Sequence, residues 1–166
     1  MAIKGARSEH RRVTAHLLVR GAARAVEFYT RAFGAAELYR SAMPDGNGIH
    51  AHLKIGDSMV MVSDERPDSG EPGHADLPSP PRSPQSLGGT STVLELYVDD
   101  ADAAFRRAVD AGATPTLPVS DTFWGDRYGW VTDPFGHIWA LATVKEELTP
   151  DEVSARMREY AAQFNR

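Results

Sequence analysis

Two groups of side chains in this sequence have the chemistry of a binding or acid–base site. His16 and Glu95 offer an imidazole and a carboxylate, a pair in which the carboxylate orients the ring and raises its pKa toward neutrality, as general acid–base catalysis requires. His50 and His52 stand two residues apart, so in an extended segment both project from one face. With His16 and Glu95 they make three imidazoles and one carboxylate, a set able to bind Zn²⁺, Ni²⁺ or Fe²⁺. The plainer alternative is polar lining of a wet pocket, with His16 and Glu95 paired to each other.

The second group is aromatic: Trp124, Tyr128 and Trp130, with Arg127 among them. A flat ligand stacks on Trp or Tyr while a guanidinium binds a carboxylate or phosphoryl oxygen. Aromatics also alternate in strands because they fill pleated surfaces. Tyr128 and Trp130 fall on one face and Gly129 and Val131 on the other, so only the first two can share a pocket. Asp121 and Asp126 flank Trp124 and offer carboxylates to a cation, but are also ordinary turn residues; Asp133-Pro134-Phe135-Gly136-His137 reads as a hairpin turn in which Asp133 bonds its own backbone.

The elements that must hold these side chains recur. "VTAHLLV" (13–19) alternates at strand period; "AARAVEFYTRAFGA" has Ala22, Val26, Tyr29 and Phe33 at helical spacing and stops at Gly34. "AELYRSA", the turn "PDGNG", "IHAHLKI", the turn "GDS" and "MVMVSD" then give three strands. The order is β-α-β-β-β. From residue 91 it repeats through "VLELYVDD", "ADAAFRRAVDAGA" with its stop at Gly112, "TPTLPVS", "RYGWVTD" and "HIWALAT". Thr14 and Val93, His16 and Glu95, Gly21 and Asp100, and Met61 and Ala140 are each 79 residues apart, the constant offset of an internal duplication.

The expected organisation is a first module over 12–66, a Pro/Gly/Ser-rich linker over 67–90 containing a solvated His74, a second module over 91–143 and an amphipathic helix over 148–165. That helix carries a capping box at Thr149 and Glu152 with Pro150 at its first position. Its apolar stripe, Val153, Met157, Tyr160 and Phe164, is expected to dock on its own sheet or on a second subunit.

Composition narrows the function. The 42% hydrophobic and 25% charged content is that of an ordinary globular chain, and no apolar run approaches the roughly 20 residues of a membrane span. The basic start lacks the apolar stretch of a secretory signal, so a cytoplasmic protein is expected. Cysteine is absent, which removes disulfides and thiolate chemistry. A net charge of −5 argues against a nucleic-acid footprint and suits a neutral or cationic small ligand.

Two βαβββ modules, with "VRGAARAVEFYTRAFGA" opening the first and "DPFGHIWALAT" closing the second, resemble the glyoxalase / bleomycin-resistance / dihydroxybiphenyl dioxygenase (vicinal oxygen chelate) superfamily, in its PhnB-like branch. The resemblance covers residues 12–143. It implies an α+β fold whose paired sheets curl around a shared cleft, helices outside, in a homodimer. Leu17, Val19, Leu94 and Leu96 then lie under the helices, while Thr14, His16, Leu18, Val93, Glu95 and Tyr97 look into the cleft. The superfamily's metal ligands fall on Thr14, Met61, Val93 and Ala140, none a good ligand for a hard or borderline divalent ion. The expectation is therefore a small-molecule-binding protein without metal or other cofactor, suited to sequestering a drug or metabolite. The alternative is a metal-dependent lyase, isomerase or dioxygenase with ligands displaced to His16, His50, His52 and Glu95.

Overall fold

The computed structural model describes residues 13–43, 46–66 and 81–164. Pro44 and Asp45 of the expected "PDGNG" turn, and His74 with the rest of 67–80, lie outside them. The elements are β1 (Ala15–Val19), α1 (Ala22–Phe33), β2 (Ala36–Ala42), β3 (Ile49–Ile55) and β4 (Ser58–Asp64), then a one-turn helix α2 (Pro84–Leu87). The second half follows as β5 (Val93–Tyr97), α3 (Ala101–Ala111), β6 (Thr114–Asp121), β7 (Asp126–Thr132), β8 (Ile138–Val144) and finally α4 (Pro150–Ala162). The strands form two four-stranded sheets, ordered β1-β4-β3-β2 and β5-β8-β7-β6. In each, the first and last strands of the module pair in parallel and the remaining pairs are antiparallel. The fold is α+β: two tandem βαβββ modules and a C-terminal helix. By its contacts the chain divides into two compact units, one running to Ser91 and including Pro134–Gly136, the other formed by Thr92–Asp133 and His137 onward.

In the first unit the strand alternation sends Leu17 and Val19 of β1, Ala51 and Leu53 of β3, and Val60 and Val62 of β4 into a core against α1, all buried. Helix α1 contributes Ala22, Ala25, Val26, Phe28, Tyr29, Ala32 and Phe33. Phe135, also buried, joins this cluster with its ring 6.3 Å from Phe28 and 6.2 Å from Tyr29, so the second half's turn contributes more than a change of direction. Helix α1 has no side-chain cap of its own; Gly21 sits at its start with φ 96°. Asp64, the last residue of β4, supplies the missing acceptor: its Oδ1 takes the N–H groups of Gly21 (2.8 Å) and Ala22 (2.9 Å), and its Oδ2 that of Ile49 (2.9 Å). A carboxylate there also complements the positive end of the helix dipole.

The stretch before Ser91 is less featureless than its Pro, Gly and Ser content suggests. Ser83 caps α2 by accepting the Ser86 N–H, and Ser83 and Pro84 are buried. Glu65 accepts from Ser83 N (2.8 Å), from the Ser86 hydroxyl and from Arg20 Nε. Burial alone pushes its carboxyl up, but the hydrogen bonds from Ser86, Arg20 and Ser83 outweigh that and hold its pKa at about 2.

In the second unit α3 packs over β6, β7 and β8. Leu94 and Leu96 of β5 are consequently only half-buried, less covered than expected of residues under a helix. Asp100 caps α3 through the Ala103 N–H (2.9 Å), and Thr143 Oγ1 accepts from Ala101 N (2.8 Å) while donating to Val98 O (2.8 Å). Thr143 is 79 residues beyond Asp64 and serves the same helix start. The middle hairpins break that offset. His52 pairs with Met61 as Trp130 pairs with Ala140, and His50 with Ser63 as Tyr128 with Ala142, so β3 and β7 correspond at 78 residues.

Helix α4 has its capping box, Thr149 Oγ1 accepting from Glu152 N while the Glu152 side chain accepts from Thr149 N. None of its residues is buried. Its stripe touches its own unit through Tyr160 on Phe123 (5.4 Å between rings), while Met157 and Phe164 stay 57% and 70% exposed.

Candidate functional site

Each unit presents a sheet face opposite its helix, and the candidate residues gather there. On the first, His16, Met61, His52 and Tyr39 are successive neighbours across β1, β4, β3 and β2; Leu18, Ser63, His50 and Ser41 form the next row. Ser63, 4% exposed, holds the histidines together: its Oγ lies 2.8 Å from His16 Nε2 and 2.7 Å from His50 Nδ1. His50 Nε2 in turn lies 2.9 Å from His52 Nε2. The rings meet edge to face, His16 with His50 at 5.4 Å and His50 with His52 at 4.9 Å.

This arrangement corrects the expected electrostatics of His16. Its pKa is lowered rather than raised, first by desolvation and then by the charges of His50 and His52; desolvation lowers that of His50 as well. Glu95, the expected partner, belongs to the second unit. The histidines therefore favour neutral rings that exchange hydrogen bonds through Ser63. Among the described residues no group of three or more His, Asp or Glu side chains is arranged to hold an ion.

On the second unit's face the rows are Glu95, Ala140, Trp130, Leu117 and Tyr97, Ala142, Tyr128, Ser120. Ala140 and Ala142 form a floor, with Glu95 and Tyr97 along one side and Trp130 and Tyr128 along the other. Both alanines are fully covered, so the flanking side chains lean over them. Trp124, Tyr128 and Trp130 contact edge to face, with centroids 5.4 and 6.4 Å apart. Trp124 Nε1 donates to Asp126 Oδ2 (3.1 Å), but Trp130 Nε1 is buried and has no partner.

Arg127 lies elsewhere. Its odd position in β7 turns it to the helix side, where it grips Asp102 of α3 with Nε (2.8 Å) and Nη2 (3.0 Å) and reaches Asp121 with Nη1 (3.3 Å). The hydrogen bond to Asp102 raises its already high pKa further. It lines an open hollow of about 480 Å³ with Asp99, Asp102, Asp121, Thr143 and Lys145 and is not on the aromatic face.

The superfamily's ligand positions do not fit a divalent metal. Met61 stands between His16 and His52 and Ala140 between Glu95 and Trp130; with Thr14 and Val93 they offer one thioether, one hydroxyl and two hydrocarbon side chains. Ser63 is the member of this hydrogen-bonded cluster that the sequence reading does not include, although the alternation Met59, Met61, Ser63 places it on the histidine face.

A model of the Glyoxalase/Bleomycin resistance protein/Dioxygenase superfamily matches residues 11–141. The uncharacterised protein Rv0887c of Mycobacterium tuberculosis is 45% identical over 142 residues, spanning 86% of this chain and 79% of that one. The uncharacterised protein At5g48480 of Arabidopsis thaliana is 31% identical over 134 residues, spanning 76% and 74%. Among solved structures, TioX from Micromonospora sp. ML1 is similar at a TM-score of 0.60 and 31% identity over 80% of this chain and 97% of that one. The fosfomycin resistance protein FosX from Mesorhizobium loti has a TM-score of 0.56 at 18% identity over 93% and 99%, a likeness of fold alone.

Proposed function

The chain belongs to the glyoxalase/bleomycin resistance protein/dioxygenase superfamily, and from that premise we propose that it binds a small organic ligand without the superfamily's usual metal. One observation carries this reading: Trp130 holds a buried, unpartnered N–H on a face already walled by Tyr128 and Trp124. A buried donor left unpaired costs about 1–3 kcal/mol. A ligand that brings an acceptor to Trp130 and a ring to its aromatic neighbours recovers that cost, in the manner of apolar pockets with a few placed polar groups. Sequestration of a drug or metabolite in the cytoplasm, by a PhnB-like homodimer, is the use that agrees with this chemistry.

A thermal-shift screen of aromatic antibiotics and small acids tests the reading. A ligand at 100 times its Kd stabilises the native state by about 2.7 kcal/mol, and Trp130→Phe, which keeps a ring but removes the donor, should weaken the shift. No stabilisation by any compound across a broad panel would overturn it.

A second reading, acid–base chemistry at His16, is favoured by the run of hydrogen bonds His16–Ser63–His50–His52. Elemental analysis of protein purified without chelator separates its metal-dependent form from the binding reading. Stoichiometric zinc, nickel or iron that is lost in His16→Ala would assign the histidine face to a metal enzyme.

A further inference from the structure

The aromatic face carries a charge signature that narrows the ligand. Glu95 and Tyr97 flank the alanine floor opposite Trp130 and Tyr128, and Asp126 occupies the same face two residues before Tyr128 in β7. The strand positions sharing this face in β5, β7 and β8 are Val93, Ile138, Val144 and Thr132 besides those named, and β6 contains no Lys, Arg or His. Two carboxylates thus stand among four aromatic rings with no cationic side chain from the strands beside them. Arg127, which would neutralise them, is turned to the opposite side by its strand position and held there by Asp102 and Asp121. The Tyr97 phenol registers the resulting potential: desolvation, Glu95 and Asp126 all push its pKa up.

We propose that this face of the second unit is a site for a small organic cation, an N-alkylated ammonium that also carries an oxygen acceptor, held by Glu95 and enclosed by Tyr97, Tyr128 and Trp130. The inference rests on the ligand-binding reading above and assigns it a ligand class. Aromatic rings attract a cation through the negative face of the ring quadrupole, most strongly where water is excluded. Glu95 adds a full opposite charge, and the free N–H of Trp130 takes the ligand's oxygen. The alanines matter as much as the rings. A larger residue at Ala140, which is fully covered, would push apart Glu95 and Trp130, which face each other across a single strand.

Choline and its neutral isostere 3,3-dimethyl-1-butanol have the same shape and hydroxyl and differ in charge. Their binding is followed by tryptophan fluorescence and calorimetry at low and high salt, beside 2-naphthol as a neutral aromatic probe. The expected result is choline binding about ten-fold tighter than its isostere, with the preference shrinking as salt screens the carboxylates. Glu95→Gln, at an exposed position, should reduce choline affinity about ten-fold and leave the isostere unchanged. Equal binding of choline and isostere, or an unchanged choline affinity in Glu95→Gln, would overturn the cation assignment. If 2-naphthol binds in a Trp130-dependent way while choline does not, the assignment fails and the ligand-binding reading stands. If neither the probes nor the wider panel binds, both fail.

Discussion

Ser63 sets the behaviour of the histidine face, because two imidazoles share its one hydroxyl. His16 and His50 both have folded-state pKa values below 6.5, so the unfolded chain binds protons more readily than the native one. Their contribution to stability is therefore full above pH 6.5 and falls as pH drops below that value. Thermal melts between about pH 8 and pH 5 should show a loss on the acid side that is smaller in a His16→Ala, His50→Ala double variant. Ser63→Ala leaves both rings without their common partner, and a destabilisation of about 1–3 kcal/mol is expected by denaturant titration. Glu65 acts over a lower range: its pKa is lowered to about 2 from an ordinary 4.5, so its stabilisation is complete above 4.5 and disappears as pH falls toward 2. The unfolding free energy of the native protein minus that of Glu65→Gln should be constant above pH 4.5 and shrink below it. The positions of His50, His52, Tyr128 and Trp130 on their faces were legible from strand alternation alone. The chemistry of Arg127 suits a ligand but its strand parity opposes that, and its partner Asp102 sits on a helix whose placement no strand period reveals.

At the scale of elements, caps and glycines made α1, α3 and α4 readable, because a helix end leaves backbone groups that only certain residues satisfy. Helix α2 was hidden: four residues form a turn only because Glu65, 18 positions before Ser83, fixes it from outside. Helix α4 has a strong local start but buries nothing. Thr149→Ala should cost that helix about 1 kcal/mol, visible as faster amide exchange across Pro150–Ala162 with little change in the global melting temperature. Gly129 places the opposite demand on β7. A methyl there would lie 2.8–3.0 Å from Val119 of β6, so Gly129→Ala must push that bulged edge strand away. A loss of about 1–3 kcal/mol is expected, with altered fluorescence from Trp130 next to it.

For the whole molecule, the fold was legible because duplication printed it twice. The 79-residue offset fixes both first strands, both helix starts and both last strands, while β3 and β7 obey 78; a single offset therefore could not show that the histidines and the Tyr128–Trp130 pair are counterparts. The dimer expectation rests on the family resemblance and on the C-terminal apolar stripe, whose Met157, Tyr160 and Phe164 remain exposed. Native mass measurement at micromolar concentration should give twice the chain mass, and truncation after Leu148 should give a monomer that stays folded. A monomeric full-length chain would remove α4 as a dimer contact.

The one-residue difference between the halves also has a mechanical meaning. It is absorbed in the connection between β7 and β8, where a turn can lengthen without rotating either strand. Had the same residue entered inside β7, every side chain beyond it would have changed sides. Gly129 and Val131 would then lie on the face that Tyr128 and Trp130 hold, and the Tyr128 phenol and Trp130 indole would press against α3. A length change at that hairpin is thus confined to the turn and leaves the same side chains on the same face of the sheet. A gene copy free to drift in its turns can change length there while its strands continue to pair as before.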